Sequence, residues 1–149
     1  MQVAAAWGHH LRHDGGGYPD HPAWAVRHPV TALIQICDVF EALTAVRPYK
    51  PPLTPRAAYE IMLKDEGAFD PGLLTAFVSA MGLYPPGNQV RLSDGSLAIV
   101  LSAGDDIAKP VVRIMSEATG PPLPHSQQRV IDLAMGSPEK LAVIDLVMD

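Results

Sequence analysis

The sequence predicts a helical domain over residues 1–82 followed by a small all-β module over residues 83–149, so the chain as a whole is expected to be mainly α. Two observations carry this reading. Up to Gly82 the apolar residues recur at a helical period, whereas from Gln89 onward they form short β-branched runs separated by glycine and proline. Between them Leu83 to Asn88 contains Pro85, Pro86 and Gly87, a stretch that continues neither pattern. A length of 149 residues suits one ordinary domain or two small units, each with a modest core.

Ala4 to Arg12 reads as the end of a helix, because the glycines at 15, 16 and 17 with Tyr18-Pro19 cannot prolong it. Val30 to Val46 reads as a buried helix with Val30, Leu33, Ile34, Cys37 and Phe40 near one face and Pro48 as its terminator. Thr54-Pro55 and Asp70-Pro71 each combine an N-cap residue with proline at the first helical position. They predict helices running to about Lys64 and to about Met81, the second stopped by Gly82. Beyond the boundary, Val90 to Leu92 and Ala98 to Leu101 flank the hairpin signal Asp94-Gly95. Val111 to Met115, Val130 to Leu133 and Ala142 to Val147 complete four or five strands in a barrel-like or curled sheet. Ser137-Pro138-Glu139 offers a short helix as the alternative for the last segment.

Composition limits the function classes. A formal charge of −5 gives no general attraction to polyanions, which speaks against DNA or RNA as a partner. No apolar stretch approaches the roughly 20 residues needed to span a bilayer. Met1 to Gly8 lacks the cationic region and long apolar core of a secretory signal. With Cys37 the only cysteine, no internal disulfide forms, and a cytoplasmic location is expected.

The chemistry-bearing residues cluster early. His9-His10 stands just before Asp14-Gly15-Gly16-Gly17-Tyr18-Pro19, and Asp38 lies inside the apolar run Leu33 to Leu43. Asp38 is four residues from Ile34, so it is expected to point inward, where an ionised carboxylate needs a cation or hydrogen bonds. Two imidazoles and a carboxylate suit iron, manganese or zinc. Adjacent helical histidines diverge by about 100°, so both serve one centre only if it is large or the helix ends there. Taken singly, each residue has a plainer reading. The histidines can cap a helix end, Asp38 can bond a buried amide or arginine, Arg47 and Lys50 can be surface charge, and Tyr18 can close a turn. His21, His28 and His125 read as surface or loop residues, Cys37 as core packing and Asp70 as a helix cap.

Taken together, His9 to Pro19, Asp38-Val39-Phe40-Glu41-Ala42-Leu43, Arg47-Pro48-Tyr49-Lys50 and Phe69-Asp70-Pro71 resemble the HD-GYP family, in the family's order. Leu83 to Gly87 and Val90 to Gly95 resemble the β tail that many members carry. The resemblance implies an HD-type helical domain and hydrolysis of cyclic di-GMP to the linear dinucleotide or GMP in a bacterial signalling protein. It implies a two-metal or three-metal iron or manganese centre. By position, His9, His10 and Asp38 match metal ligands, and Tyr18, Arg47 and Lys50 match residues that hold the cyclic dinucleotide.

The resemblance also implies what these residues lack. The family's His-Asp dyad, a nearby lysine and further ligands precede the histidine pair, whereas here eight residues precede His9. His13-Asp14 belongs to the glycine loop and is no substitute, so no catalytic residue is assigned. The expectation is the C-terminal part of an HD-GYP protein, with an incomplete helical domain and negligible turnover alone. Exposed apolar faces such as Leu33, Ile34 and Phe40 are expected from it, favouring a homodimer or docking of an upstream half or sensor domain. The alternative is a non-catalytic regulatory or interaction module that binds nucleotide or partner proteins.

Overall fold

A computed structural model describes residues 7–20, 28–136 and 141–147. The alternative helix at Ser137-Pro138-Glu139, His21, and the start of the first predicted helix fall outside these. The chain divides into two compact units, Met1–Phe77 and Val78–Asp149, with the division five residues before the predicted boundary at 82.

In the first unit, residues 7–8 are helical and residues 9–10 form a turn. The helix therefore stops short of the predicted Arg12, because Leu11 pairs with Gly17 in an isolated β-bridge instead. Helix α1 (Pro29–Thr44) follows, capped by His28, whose Nδ1 accepts from the Val30 amide at 3.2 Å. It ends at Thr44, earlier than the predicted Val46, since Ala45 is already extended and caps it by donating to the Glu41 carbonyl. Helix α2 (Pro55–Lys64) starts at Thr54, whose hydroxyl accepts from the Ala57 amide. Helix α3 (Pro71–Met81) starts at Asp70, which accepts from the Leu73 amide at 2.9 Å.

The buried stripe of α1 differs from the predicted one. Thr31, Ala32, Gln35, Ile36 and Phe40 are buried, whereas Val30, Leu33, Ile34 and Cys37 are exposed. Apolar residues occur around most of this helix, so hydropathy alone cannot choose its inner face; packing on α2 does. Phe40 stacks on Tyr59 at 5.1 Å and meets the edge of Phe77, which removes it from the exposed set expected of it. Cys37 likewise lies outside the core.

The second unit is an antiparallel sheet of β1 (Gln89–Leu92), β2 (Leu97–Ser102), β3 (Val111–Ser116), β4 (Val130–Asp132) and β5 (Val143–Val147), in the order β4-β3-β2-β1-β5. Register pairs Leu146 with Val90, Val90 with Ala98, and Val100 with Val112, which places these apolar residues on one face. That face is closed by Leu133 and Leu141. The β1–β2 turn is held by Asp94, whose Oδ1 accepts from both the amide and the hydroxyl of Ser96. Burial raises the pKa of Asp94, but those hydrogen bonds outweigh it and leave it below its usual value. Among the described residues β4 and β5 are edges, so the module is an open sheet rather than a closed barrel.

Candidate metal centre

The histidine pair reaches α1 through a glycine. Gly8 is buried, and a Cβ there would lie 2.9 Å from Thr31 Cγ2, so only glycine lets the turn approach the helix this closely. Thr31 and Asp38 are seven residues, or about two turns, apart and so share a side of α1. The turn that begins at Gly8 thus delivers His9 and His10 toward Asp38. One ligand atom from each of the three lies within 4.8 Å of the others, the one such group found among the described residues. Because helical geometry ends at residue 8, the two imidazoles lie side by side, with ring centroids 4.0 Å apart.

Asp38 is exposed, which corrects the inward placement expected from Ile34. Relative to the buried Ile36 it is turned by about 200° around the helix axis. Desolvation therefore does not oblige this carboxylate to find a partner; its juxtaposition with the imidazoles makes it a candidate. Two nitrogens and one oxygen within reach of one cation match the donor set of non-haem iron and related divalent sites.

The glycine loop is built around Arg12. The Gly16 carbonyl accepts from the Arg12 amide, and Gly16 donates its amide to Asp14 Oδ1 at 3.0 Å. Gly17 has φ +85°, and a Cβ there would collide with the His10 carbonyl oxygen. Its missing side chain lets the segment after the loop fold back against the histidine pair, and Tyr18 then stacks on His10 at 4.5 Å. The Arg12 guanidinium donates to Asp14 through Nε and Nη2, to Asp65 through Nη1 at 2.9 Å, and to the Glu66 carbonyl at 3.0 Å. Hydrogen bonding to Arg12 holds the Asp14 carboxyl below the usual carboxylate range, and the same contacts raise the pKa of Arg12. The Ala68 carbonyl accepts from the His13 amide at 2.9 Å and from Gln35 Nε2 at 3.3 Å. One backbone oxygen thereby joins the loop to α1 a turn before Asp38.

Arg47 and Lys50 lie beyond α1, paired in an isolated β-bridge, and both are exposed. Arg47 donates to Glu41 Oε2 at 2.8 Å. Glu41 is three residues from Asp38 and so is its neighbour along the helix surface. Arg47 is thus tied one turn along from the three ligand candidates.

Residues 2–73 match the HD domain family. Over 127 residues, 84% of this chain, the sequence is 39% identical to a cyclic di-GMP phosphodiesterase of Pseudomonas aeruginosa. Residues 2–73 contain the histidine pair, the glycine loop and Asp38 in the order described. The chain belongs to the HD-GYP family. A cyclic di-GMP phosphodiesterase response regulator of Xanthomonas campestris is 37% identical over 52% of this chain, and a probable cyclic di-GMP phosphodiesterase of Vibrio cholerae 38% identical over 49%. This HD-GYP chain spans 30%, 21% and 17% of the lengths of these three relatives. No solved structure matches it significantly.

Sequence reasoning missed the hydrogen bonds of Arg12, Asp65 and Gln35 that tie together the segments carrying the candidate ligands, and His28 as the cap of α1. Asp14 two residues after Arg12 was a local hint of the loop clamp. Nothing local linked Arg12 to Asp65, 53 residues away.

Proposed function

We propose that this chain is part of a metal-dependent phosphodiesterase that hydrolyses cyclic di-GMP to the linear dinucleotide or GMP in the bacterial cytoplasm. The observation that carries the proposal is the convergence of His9, His10 and Asp38 within 4.8 Å in a chain that belongs to this family. No helix among the described residues is long and apolar enough to cross a membrane.

In this reading the three side chains hold iron or manganese as part of a two-metal or three-metal centre. When bound, such cations polarise a phosphoryl oxygen and lower the pKa of water. The chain's own residues bind and orient. Tyr18 is 61% exposed and offers an aromatic surface to a purine beside the centre. Arg47 and Lys50 present positive charge to phosphate, and Arg47 keeps donors for it after its bond to Glu41. Gly17 lets its own backbone close against that of His10, which brings Tyr18 onto the His10 ring beside the centre.

Three ligands do not make a two-metal clamp, so we propose negligible turnover by these 149 residues alone, with the remaining ligands supplied by further sequence or another chain. The non-catalytic alternative shares the same geometry and differs in outcome. Hydrolysis of cyclic di-GMP is measured with added manganese or iron, for this chain and for a longer protein containing it. The proposal requires turnover by the longer protein that is lost, with its metal, in His10→Ala. A longer protein that binds the dinucleotide without cleaving it establishes the regulatory reading, and robust turnover by the 149 residues refutes the need for further ligands.

A further inference from the structure

We propose that Arg12 is a positioning residue that sets where His10 and Tyr18 stand relative to Asp38, by fastening the glycine loop to the connection between α2 and α3. This deepens the metal-site reading above and rests on it.

Arg12 is two residues from His10 and is not itself a ligand candidate. Its three guanidinium nitrogens all have partners, and these lie on two separate segments: Asp14 within the loop, and Asp65 with the Glu66 carbonyl at the end of α2. The same connection receives the His13 and Asp14 amides through the Ala68 and Gly67 carbonyls, and Gln35 of α1 through Ala68. The path from loop to helix is therefore continuous: Arg12 to residues 65–66, then Ala68, Gln35 and α1, which carries Asp38. Leu11, between His10 and Arg12, is 4% exposed and pins the other end of this short segment. A planar fork fits two carboxylates and a carbonyl at once, whereas a lysine ammonium is a point charge. Fixing the ligand-bearing turn from a neighbouring shell is the usual way a protein tunes metal affinity.

The test uses the 149-residue chain with Co²⁺ as the probe metal and NMR of the imidazole protons. In the unsubstituted chain the Tyr18 ring shifts the His10 ring protons upfield, a readout that needs neither metal nor turnover. Arg12→Ala is expected to move the His10 resonance toward that of free imidazole and to weaken Co²⁺ binding roughly 10- to 100-fold. Amide resonances of β1 to β5 stay in place. Asp65→Asn, at a half-exposed position remote from the ligands, gives smaller changes in the same direction and decides the matter if Arg12→Ala does not fold. Arg12→Lys does not restore either readout. An unmoved His10 resonance with unchanged Co²⁺ affinity, or full recovery with lysine, overturns the proposal. An unsubstituted chain that binds no Co²⁺ defeats the metal reading instead, and the His10 resonance then decides the role of Arg12 by itself.

Discussion

The ring of Tyr18 lies on the imidazole of His10, with centroids 4.5 Å apart and planes 24° from parallel, while His9 sits 4.0 Å from the same imidazole. The tyrosine of the glycine loop is therefore in contact with a candidate ligand, so under the proposed function orientation of that ligand and recognition of an aromatic base would be coupled.

Replacing Tyr18 separates the ring from its hydroxyl. Tyr18→Phe keeps the stack and should leave cyclic di-GMP affinity of the longer, metal-loaded protein within about twofold. Tyr18→Ala removes an aromatic pair of about 0.5–1.5 kcal/mol, an expected weakening of roughly two- to tenfold. Isothermal titration of the two variants compares them directly, and equal losses would assign the effect to the hydroxyl.

Gly15 and Gly17 have nearly the same φ, +88° and +85°, but different surroundings. A Cβ at Gly15 meets nothing within 4 Å, so Gly15→Ala should cost only the left-handed conformation, about 1–2 kcal/mol. At Gly17 the His10 carbonyl blocks the Cβ, so Gly17→Ala should cost more and should also displace Tyr18. Thermal melting ranks the two, and an equal fall would show that the backbone relaxes around position 17.

Acid should loosen the glycine loop. The folded-state pKa of Asp14 lies below its unfolded value of 3.8, mainly through the hydrogen bond from Arg12. Its contribution is therefore fully present above the unfolded pKa and is lost as pH falls through the folded value. Asp14→Asn should lower stability at neutral pH by a small amount and flatten the dependence below about pH 4. Melting curves of both proteins between pH 3 and 7 test this; parallel curves would contradict it.

At the alkaline end Tyr59 is the group to watch. Burial against Phe40 and Phe77 raises its pKa to about 12. A raised pKa stabilises the fold below the unfolded value of 10, and that stability disappears as pH climbs from 10 through 12. Absorbance titration of the phenolates should show one tyrosine ionising with unfolding, and Tyr59→Phe should remove that phase.

The face of α1 can be checked by paired truncations. Ile36 is fully buried, so Ile36→Ala should cost about 2–5 kcal/mol. Leu33 is 41% exposed, and Leu33→Ala should cost well below that. The reverse order in chemical denaturation would restore the inner face expected from hydropathy.

Where the chain carries local punctuation, its elements were legible. Thr54-Pro55 and Asp70-Pro71 each name a helix start by a cap and a fixed φ, and Asp94-Gly95 names a turn, so α2, α3 and the β1–β2 hairpin fall where those residues place them. Helix α1 exists as expected, but its orientation was hidden because leucine, isoleucine and valine occupy most of its circumference. The inward reading of Asp38 failed for that reason, although the residue lies beside His9 and His10. The role of Arg12 was hidden for a different one: its partners at 65 and 66 are close only after folding.

The joint at Ala68 is made by a carbonyl, and no side-chain replacement deletes a carbonyl. Scanning this region with alanine would remove the side chains of Asp65 and Asp70 but would leave this joint standing, because the backbone there anchors both the loop and the helix. The carbonyl is common to every amino acid, so what selects alanine at this buried position is the room left for its side chain and not the tether.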